Sequence, residues 1–455
     1  MTGRILGIEL RRSNARWMAL LLLPAALILG DAGRGLTVLA LDQRQALVEA
    51  FPLAMGVAAW HARRDRRSRM DELLATTALP RWRRVLPGAA ALVIGALAAY
   101  LVSTAVNVGL VVAAGGYLSA VALPIIAVGG LALVVGVSFG LAIGRWVPFP
   151  LIPPLLVVYL AAAVFFGDTE AYTEGPNASF EIPGWLLLFG DLQVVGTESD
   201  FASVTAGTHL GQALWVVALA TAGLIVFAAT RLRTRAAAIV PLALGAAVAL
   251  AVLPERYDDA YAPDPGATAL VCTADTPRVC VMRAHQAALA DLRGPGREAL
   301  TVLAAKLPDA PTRVVETTYM DPPPPRADTI HVALQVSGDG RDARSALGTT
   351  PDLRWDLLGG AGTPGCADAP AFGTTERRRY DIARFVAAAW LLDQAPPAPV
   401  DPSDPGLLQR SETVPVYQAL RRLPPAEQRT RVAELRRAEL ACDSRDRLDL
   451  LTGPP

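Results

Sequence analysis

The chain has 455 residues, 52% of them hydrophobic, and a formal net charge of zero. That balance gives no general affinity for nucleic acid, and the apolar excess is above what ordinary soluble proteins carry. Lysine occurs once, at Lys306 in LTVLAAKLPDA, with no glycine-rich loop before it. The chain therefore has no P-loop, and any ATP-driven role requires a second polypeptide.

The opening run GRILGIELRRSNARW sets Ile5 and Ile8 against Arg4, Arg11 and Arg12, as in an amphipathic helix lying at a membrane interface. Apolar segments follow at 16–36, 46–60, 88–114, 118–143, 149–166, 209–230 and 236–253. Each is near the ~20 residues that cross a bilayer core, so about seven transmembrane helices are expected. Asp31 and Arg34 interrupt the first, which puts its outer end at the interface, and Glu49 and His209 fall near outer span ends. Gly136, Gly140 and Gly144 form a small-xxx-small ridge, read here as internal packing rather than a dimer seam. Ser103, Thr104, Asn107 and Tyr159 suit either a polar path or interhelical hydrogen bonds, and both readings stand.

Between the second and third segments lies the loop 61–87, HARRDRRSRMDELLATTALPRWRRVLP. It carries Arg63, Arg64, Arg66, Arg67, Arg69, Arg81, Arg83 and Arg84. Ser68 and Asp71 have capping-box spacing, Met70, Leu73, Leu74 and Thr77 share one helical face, and Pro80 ends the run. Such a helix either rests on anionic headgroups or docks in a groove of a cytoplasmic partner. The wording DELLATTALPRWRR after an arginine run resembles the first cytoplasmic loop of ABC-2 type transporter permeases, particularly actinobacterial ones. That resemblance implies a coupling helix at 68–79, with Met70, Asp71, Glu72, Leu73, Leu74 and Thr77 docking on a separate ABC ATPase subunit. It also implies pairing with a second permease copy or a sister permease, and an elbow helix at the amino terminus.

The loop 167–208 has no basic residue, while arginines cluster in the amino-terminal run, in 61–87, at Arg145 and at Arg231, Arg233 and Arg235. That asymmetry predicts a cytoplasmic amino terminus and an extracytoplasmic end to the seventh span. Within the acidic loop, IPGWLLLFG at 182–190 with Trp185 is too short to cross and reads as a re-entrant or interfacial piece. ABC-2 permeases have short helices at the same point, but usually six spans. The seventh, 236–253, leads here into a large tail.

The tail, 256–455, opens with YDDAYAPDPG, whose Asp258, Asp259 and Asp264 read as solvated. Strand-like runs at 269–273, 278–282, 312–320 and 329–336 and helical runs at 284–306, 375–393 and 424–442 predict an α+β or α/β domain. All of the cysteines lie in it, which agrees with an extracytoplasmic location. Cys272 and Cys280 flank a strand–turn–strand, so the expected bridges are Cys272–Cys280 and Cys366–Cys442. Without CxxC or a ligand-spaced histidine pair no metal is expected, and His285 and His331 read as ordinary domain residues. Nor does the tail hold HExxH, HxxEH or a GxSxG nucleophile elbow, so neither a cofactor nor enzymatic activity is expected.

The chain thus divides into a permease-like membrane part, 1–253, and a disulfide-containing part, 256–455. Two functions fit: an ABC-2 permease subunit in the cell membrane, or a non-transporting membrane protein displaying an extracytoplasmic binding or sensing domain. Either way, a reporter fused after Arg84 should be active only in the cytoplasm, and one fused at Asp264 only outside it. Reversed signals would overturn the topology.

Overall fold

The computed structural model describes residues 2–12, 14–26, 34–67, 81–147, 200–256, 258–318, 323–337, 342–345, 352–366, 374–397 and 410–453, with isolated positions between them. Among the described residues the protein is mostly helical, with short strands only from Ala202 onward.

Its helical body is built from α1 (Thr2–Arg12), α2 (Ala15–Ala26), α3 (Leu36–Gln45), α4 (Leu47–Arg67), α5 (Arg81–Ala114), α6 (Ala122–Trp146), α7 (Ala206–Ala228) and α8 (Ile239–Val252). Among the described residues, four helices are long and apolar enough to cross a membrane: Trp82–Ala114, Ala122–Trp146, Ala206–Ala228 and Leu232–Val252. The protein is membrane-embedded, but the expected count of about seven spans is not what these residues display. The first expected span, 16–36, is described only in part. It supplies the twelve-residue α2 and the start of α3, with residues 27–33 outside the described set. The second falls inside α4, where Glu49, Arg63 and Arg64 dilute the apolar run. The fifth, 149–166, lies almost wholly outside the described residues, as does most of 167–199.

The glycine ridge explains how the body closes. Gly136 lies against the Phe51 ring, Gly140 against the backbone of Met55, and Gly144 against the backbone of Ala59, so α4 and α6 approach closely along the ridge. On the other flank of α6, Gly223 of α7 packs on Ser138, and α8 then packs on α7 through Gly245 and Ala218. α6 is accordingly the most buried of the long helices and α8 the least, with Leu244 and Leu250 facing outward.

The 34 residues of α5 span roughly 50 Å at ~1.5 Å per residue, well beyond a ~30 Å hydrocarbon core. Ala15, where α2 begins, packs on Gly95, while Gly88 faces His61 of α4. The α4–α5 pair therefore runs on past the start of α2, carrying Arg63, Arg64, Arg66 and Arg67 on one limb and Arg81, Arg83 and Arg84 on the other. α1, amphipathic as its sequence predicts, lies against α5. Arg145 and Trp146 mark the same end. Arg145 donates to the carbonyl of Phe227, Trp146 Nε1 donates to that of Val226 at 2.8 Å, and the guanidinium of Arg235 stacks 3.1 Å from the Trp146 ring centroid.

At the opposite end sits the sheet-containing region. Strands β1 (Ala202–Val204) and β2 (Tyr261–Pro263) pair antiparallel, tying the chain before α7 to the chain after α8. β3 (Leu270–Cys272), β4 (Arg278–Met282), β5 (Arg313–Glu316) and β6 (Thr329–Val332) form one sheet in sequence order. The first pair is antiparallel, and the others are parallel. α9 (Leu289–Lys306) supplies the crossover from β4 to β5, which a parallel pair requires. β7 (Leu334–Ser337) and β8 (Asp342–Ser345) make a separate hairpin. Val279, Val281, Val314, Ile330 and Val332 meet Leu292, Leu300 and Leu303 of α9 in a core that also takes in α10 (Leu353–Leu358), α11 (Thr375–Leu392), α12 (Arg410–Arg422), α13 (Pro425–Ala441) and α14 (Arg447–Thr452).

Both expected cysteine pairs are joined. Cys272 and Cys280 are directly opposite across β3 and β4, with Cα atoms 4.0 Å apart; Cys366 and Cys442 are 5.7 Å apart. They close loops of very different size, with sequence separations of 8 and 76. By loop-closure entropy, serine replacement of Cys366 and Cys442 should cost about 4.5 kcal/mol and of Cys272 and Cys280 about 2.5 kcal/mol. Denaturant midpoints of the full chain read the difference, and a larger loss for the short loop would contradict it.

Candidate functional site

Where the two parts of the protein meet, side chains distant in sequence assemble into one buried chain of charge. His285, fully buried, lies in the 3₁₀ turn Arg283–Ala288 that follows β4. Its Nδ1 is 2.5 Å from Glu316 Oε1 at the end of β5, and its Nε2 is 2.9 Å from Asp200 Oδ2, just before β1. Glu316 also accepts the backbone N–H of Met282 at 2.6 Å. Asp200 accepts from Arg34 Nε at 2.7 Å, at the threshold of α3. Phe201 closes one side of the imidazole edge-on, with ring centroids 4.9 Å apart.

Both ring nitrogens face carboxylate oxygens, which only accept when ionised, so the ring is held as imidazolium donating from each nitrogen. Burial opposes that charge, but Glu316 and Asp200 outweigh it and push the His285 pKa up to about 9. Arg34, Asp200, His285 and Glu316 alternate in sign and sum to zero, which is what allows such a chain to stay out of water.

Further joints surround it. Asp264 is buried, accepting from Ser119 Oγ at 2.9 Å and from the N–H of Gly266 at 2.8 Å, while its own N–H donates to Phe201 at 2.7 Å. It is a structural joint, not the solvated linker residue its proline-rich setting predicts. Gln286 Nε2 donates to the Gly115 carbonyl at 3.0 Å, and the Leu36 N–H to Tyr117 at 3.0 Å. The turn between α5 and α6 is thereby gripped by α3 on one side and by the sheet-containing region on the other.

A second polar group lies deeper in the helical body, where α3 meets α5 and reaches α7 through Arg44. Gln43 Nε2 donates to the Tyr100 carbonyl at 3.2 Å and to Ser103 Oγ at 3.1 Å, and Thr104 Oγ1 donates to Gln43 Oε1 at 3.1 Å. Arg44 Nη2 donates to Gln212 Oε1 at 2.9 Å. Ser103 and Thr104 are thus interhelical hydrogen-bonding partners. Asn107 and His209 are also buried, and His209 does not sit at the interface as its position near a span end predicts. Tyr159 lies outside the described residues.

Of the residues singled out in sequence, Met70, Asp71, Glu72, Leu73, Leu74, Thr77 and Arg69 lie outside the described residues. Arg63, Arg64, Arg66, Arg67, Arg81, Arg83 and Arg84 stand on the ends of α4 and α5 that lead to them. Among the described residues no group of three or more histidine, cysteine or acidic side chains is arranged to hold a metal ion. No protein-family model, curated protein or solved structure matches the chain.

The raised pKa fixes the pH dependence of the junction. Its contribution to stability is complete below the ordinary histidine range near 6.5 and is lost as pH rises through about 9. Hydrogen exchange in β4 and the turn after it should therefore accelerate as pH passes that value, beyond the intrinsic base-catalysed increase. His285→Ala leaves two carboxylates buried without their cation and should destabilise the protein by about 3–5 kcal/mol. A junction insensitive to both changes would show that the chain of charge does not hold it.

Proposed function

We propose that this protein is the membrane permease subunit of an ABC-2 type transporter, driven by a separate ATPase that docks on the helix at 68–79. One observation carries this reading: α4 and α5 run on together beyond the start of α2 and present arginines on both limbs flanking the 68–80 segment. The amphipathic α1 against α5 supports it, as an elbow helix beside the coupling limb would. In this reading the arginine-rich end is cytoplasmic, the disulfide-bearing region is extracytoplasmic, and the working unit is a homodimer or a pair with a second permease. A non-transporting protein that displays the sheet-containing region is the other reading, favoured by the buried chain of charge that fixes that region to the helical body.

Co-purification with an ATPase encoded beside this chain separates the two. Burying Leu73 and Leu74 in a groove contributes roughly 1.5–3 kcal/mol each. Leu73→Asp with Leu74→Asp should then weaken binding by about a hundredfold or more, at ~1.4 kcal/mol per tenfold. Insertion should be unaffected, and Arg63→Gln with Arg64→Gln should change ATPase binding far less. Retention of the ATPase by the double aspartate variant would remove 68–79 from the docking role, and absence of any ATPase partner would favour the display reading.

A further inference from the structure

Between α2 and α5 the helical body holds a cleft of about 350 Å³. One wall is a single stripe of α2, formed by Arg16, Ala19, Leu20 and Leu23, and the facing wall includes Ala98 and Val102 of α5. The helices touch at one end of it, where the Ala15 carbonyl lies over the bare backbone of Gly95. Beyond that contact Ala19 and Ala98 are too short to close the gap. The cleft opens on the outer surface of the body, with Leu20 60% and Val102 51% exposed.

Arg16 stands beside the Ala15–Gly95 contact and is exposed, and no acidic residue lines the cleft with it. Among the described residues it takes part in no hydrogen bond, ion pair or ring contact. It is also the last charge before the uncharged run 17–30. Its level in the bilayer follows from α5. The turn just past Ala114 meets the sheet-containing region through Gly115, which marks one boundary of the hydrocarbon. Gly95 is roughly 28 Å back along the helix, close to one hydrocarbon thickness, so Arg16 falls at the other boundary. Trp17 beside it is 60% exposed, as an indole at the headgroup level is. From there the cleft runs roughly 10 Å, from Arg16 to Leu23, toward the bilayer centre.

We infer that this cleft binds one acyl chain of an anionic phospholipid, whose headgroup phosphate is held by Arg16. A guanidinium matches phosphate through paired N–H donors. An anionic headgroup answers the unpaired cation, whereas a zwitterionic one brings a cation of its own. Size separates this occupant from a helix of a second copy. Two turns of helix 10 Å wide fill roughly 850 Å³, more than twice the cleft. The site stands whether or not the chain is a permease, because it needs no ATPase and no transported substrate.

The test uses the full chain in detergent, titrated with phosphatidylglycerol or with phosphatidylcholine of the same acyl chains. Native mass spectrometry counts the lipids retained. One phosphatidylglycerol should bind saturably and ahead of phosphatidylcholine. Arg16→Gln should weaken that first site about fivefold, the share of one arginine at an anionic headgroup. Arg16→Lys should keep most of the affinity, and Arg233→Gln, which removes an exposed cation elsewhere, should change nothing. Ala98 is exposed, so Ala98→Phe fills the cleft without entering the core and should abolish the first site. The proposal fails if the two lipids bind alike, or if Arg16→Gln and Arg233→Gln weaken binding equally. It also fails if Ala98→Phe turns a dimer into a monomer and leaves lipid binding intact, which would give the cleft to a second copy. Should Ala98→Phe not fold, the comparison of Arg16→Gln with Arg233→Gln alone decides.

Discussion

A protonated imidazole held between two carboxylates connects the two halves of this protein. Each half contributes charge that could not stay buried alone. Glu316 comes from the sheet, Asp200 from the strand that leads into α7, and Arg34 from the threshold of α3. The desolvation of these groups is offset only when all of them are in place, so the junction forms as a unit or not at all. Around it, the Ser119–Asp264 and Gln286–Gly115 bonds fix the turn between α5 and α6 to the same region. The ends of α3, α5, α6, α7 and α8 at this face are thus indexed to one another through the C-terminal region rather than through lipid-facing contacts.

The other end of the body is organised by different physics. Backbone-to-backbone contact along the glycine ridge of α6 sets the spacing to α4, and the Arg235–Trp146 stack with the Arg145 bond to Phe227 ties α6 to α7. Dispersion and cation–π contacts of this kind tolerate small sliding better than a desolvated charge chain does.

Much of this was legible in the sequence, for local reasons. The strands alternate or run apolar between turn residues, α9, α11 and α13 carry helical periodicity, and the glycines recur every four residues. Cys272 and Cys280 flank a turn, which left little choice of partner. Leu36–Gln45 was not legible: Asp42, Gln43, Arg44 and Gln45 give it the composition of a loop, and it is a buried helix because α5 and α7 answer Gln43 and Arg44. His285 was missed for a related reason. Its partners are 85 and 31 residues away, and no periodicity within VCVMRAHQAAL points to either. Buried polar chemistry of long sequence range has no local signature, and in this protein that is where the junction and the Gln43 group are found.

The Cys366–Cys442 bridge has a consequence for the order of events during synthesis. Cys366 lacks its native partner until residue 442 has emerged, by which point the sheet, α9, α11 and all of α13 already exist as chain. A link across so long a loop finds its geometry only when those elements have brought its ends together, since closing the loop unaided carries the full entropic cost. The bond therefore acts as a seal on a finished fold. A chain interrupted anywhere after Cys366 and before Cys442 carries a lone thiol at position 366, the chemical mark by which an incomplete copy differs from a complete one.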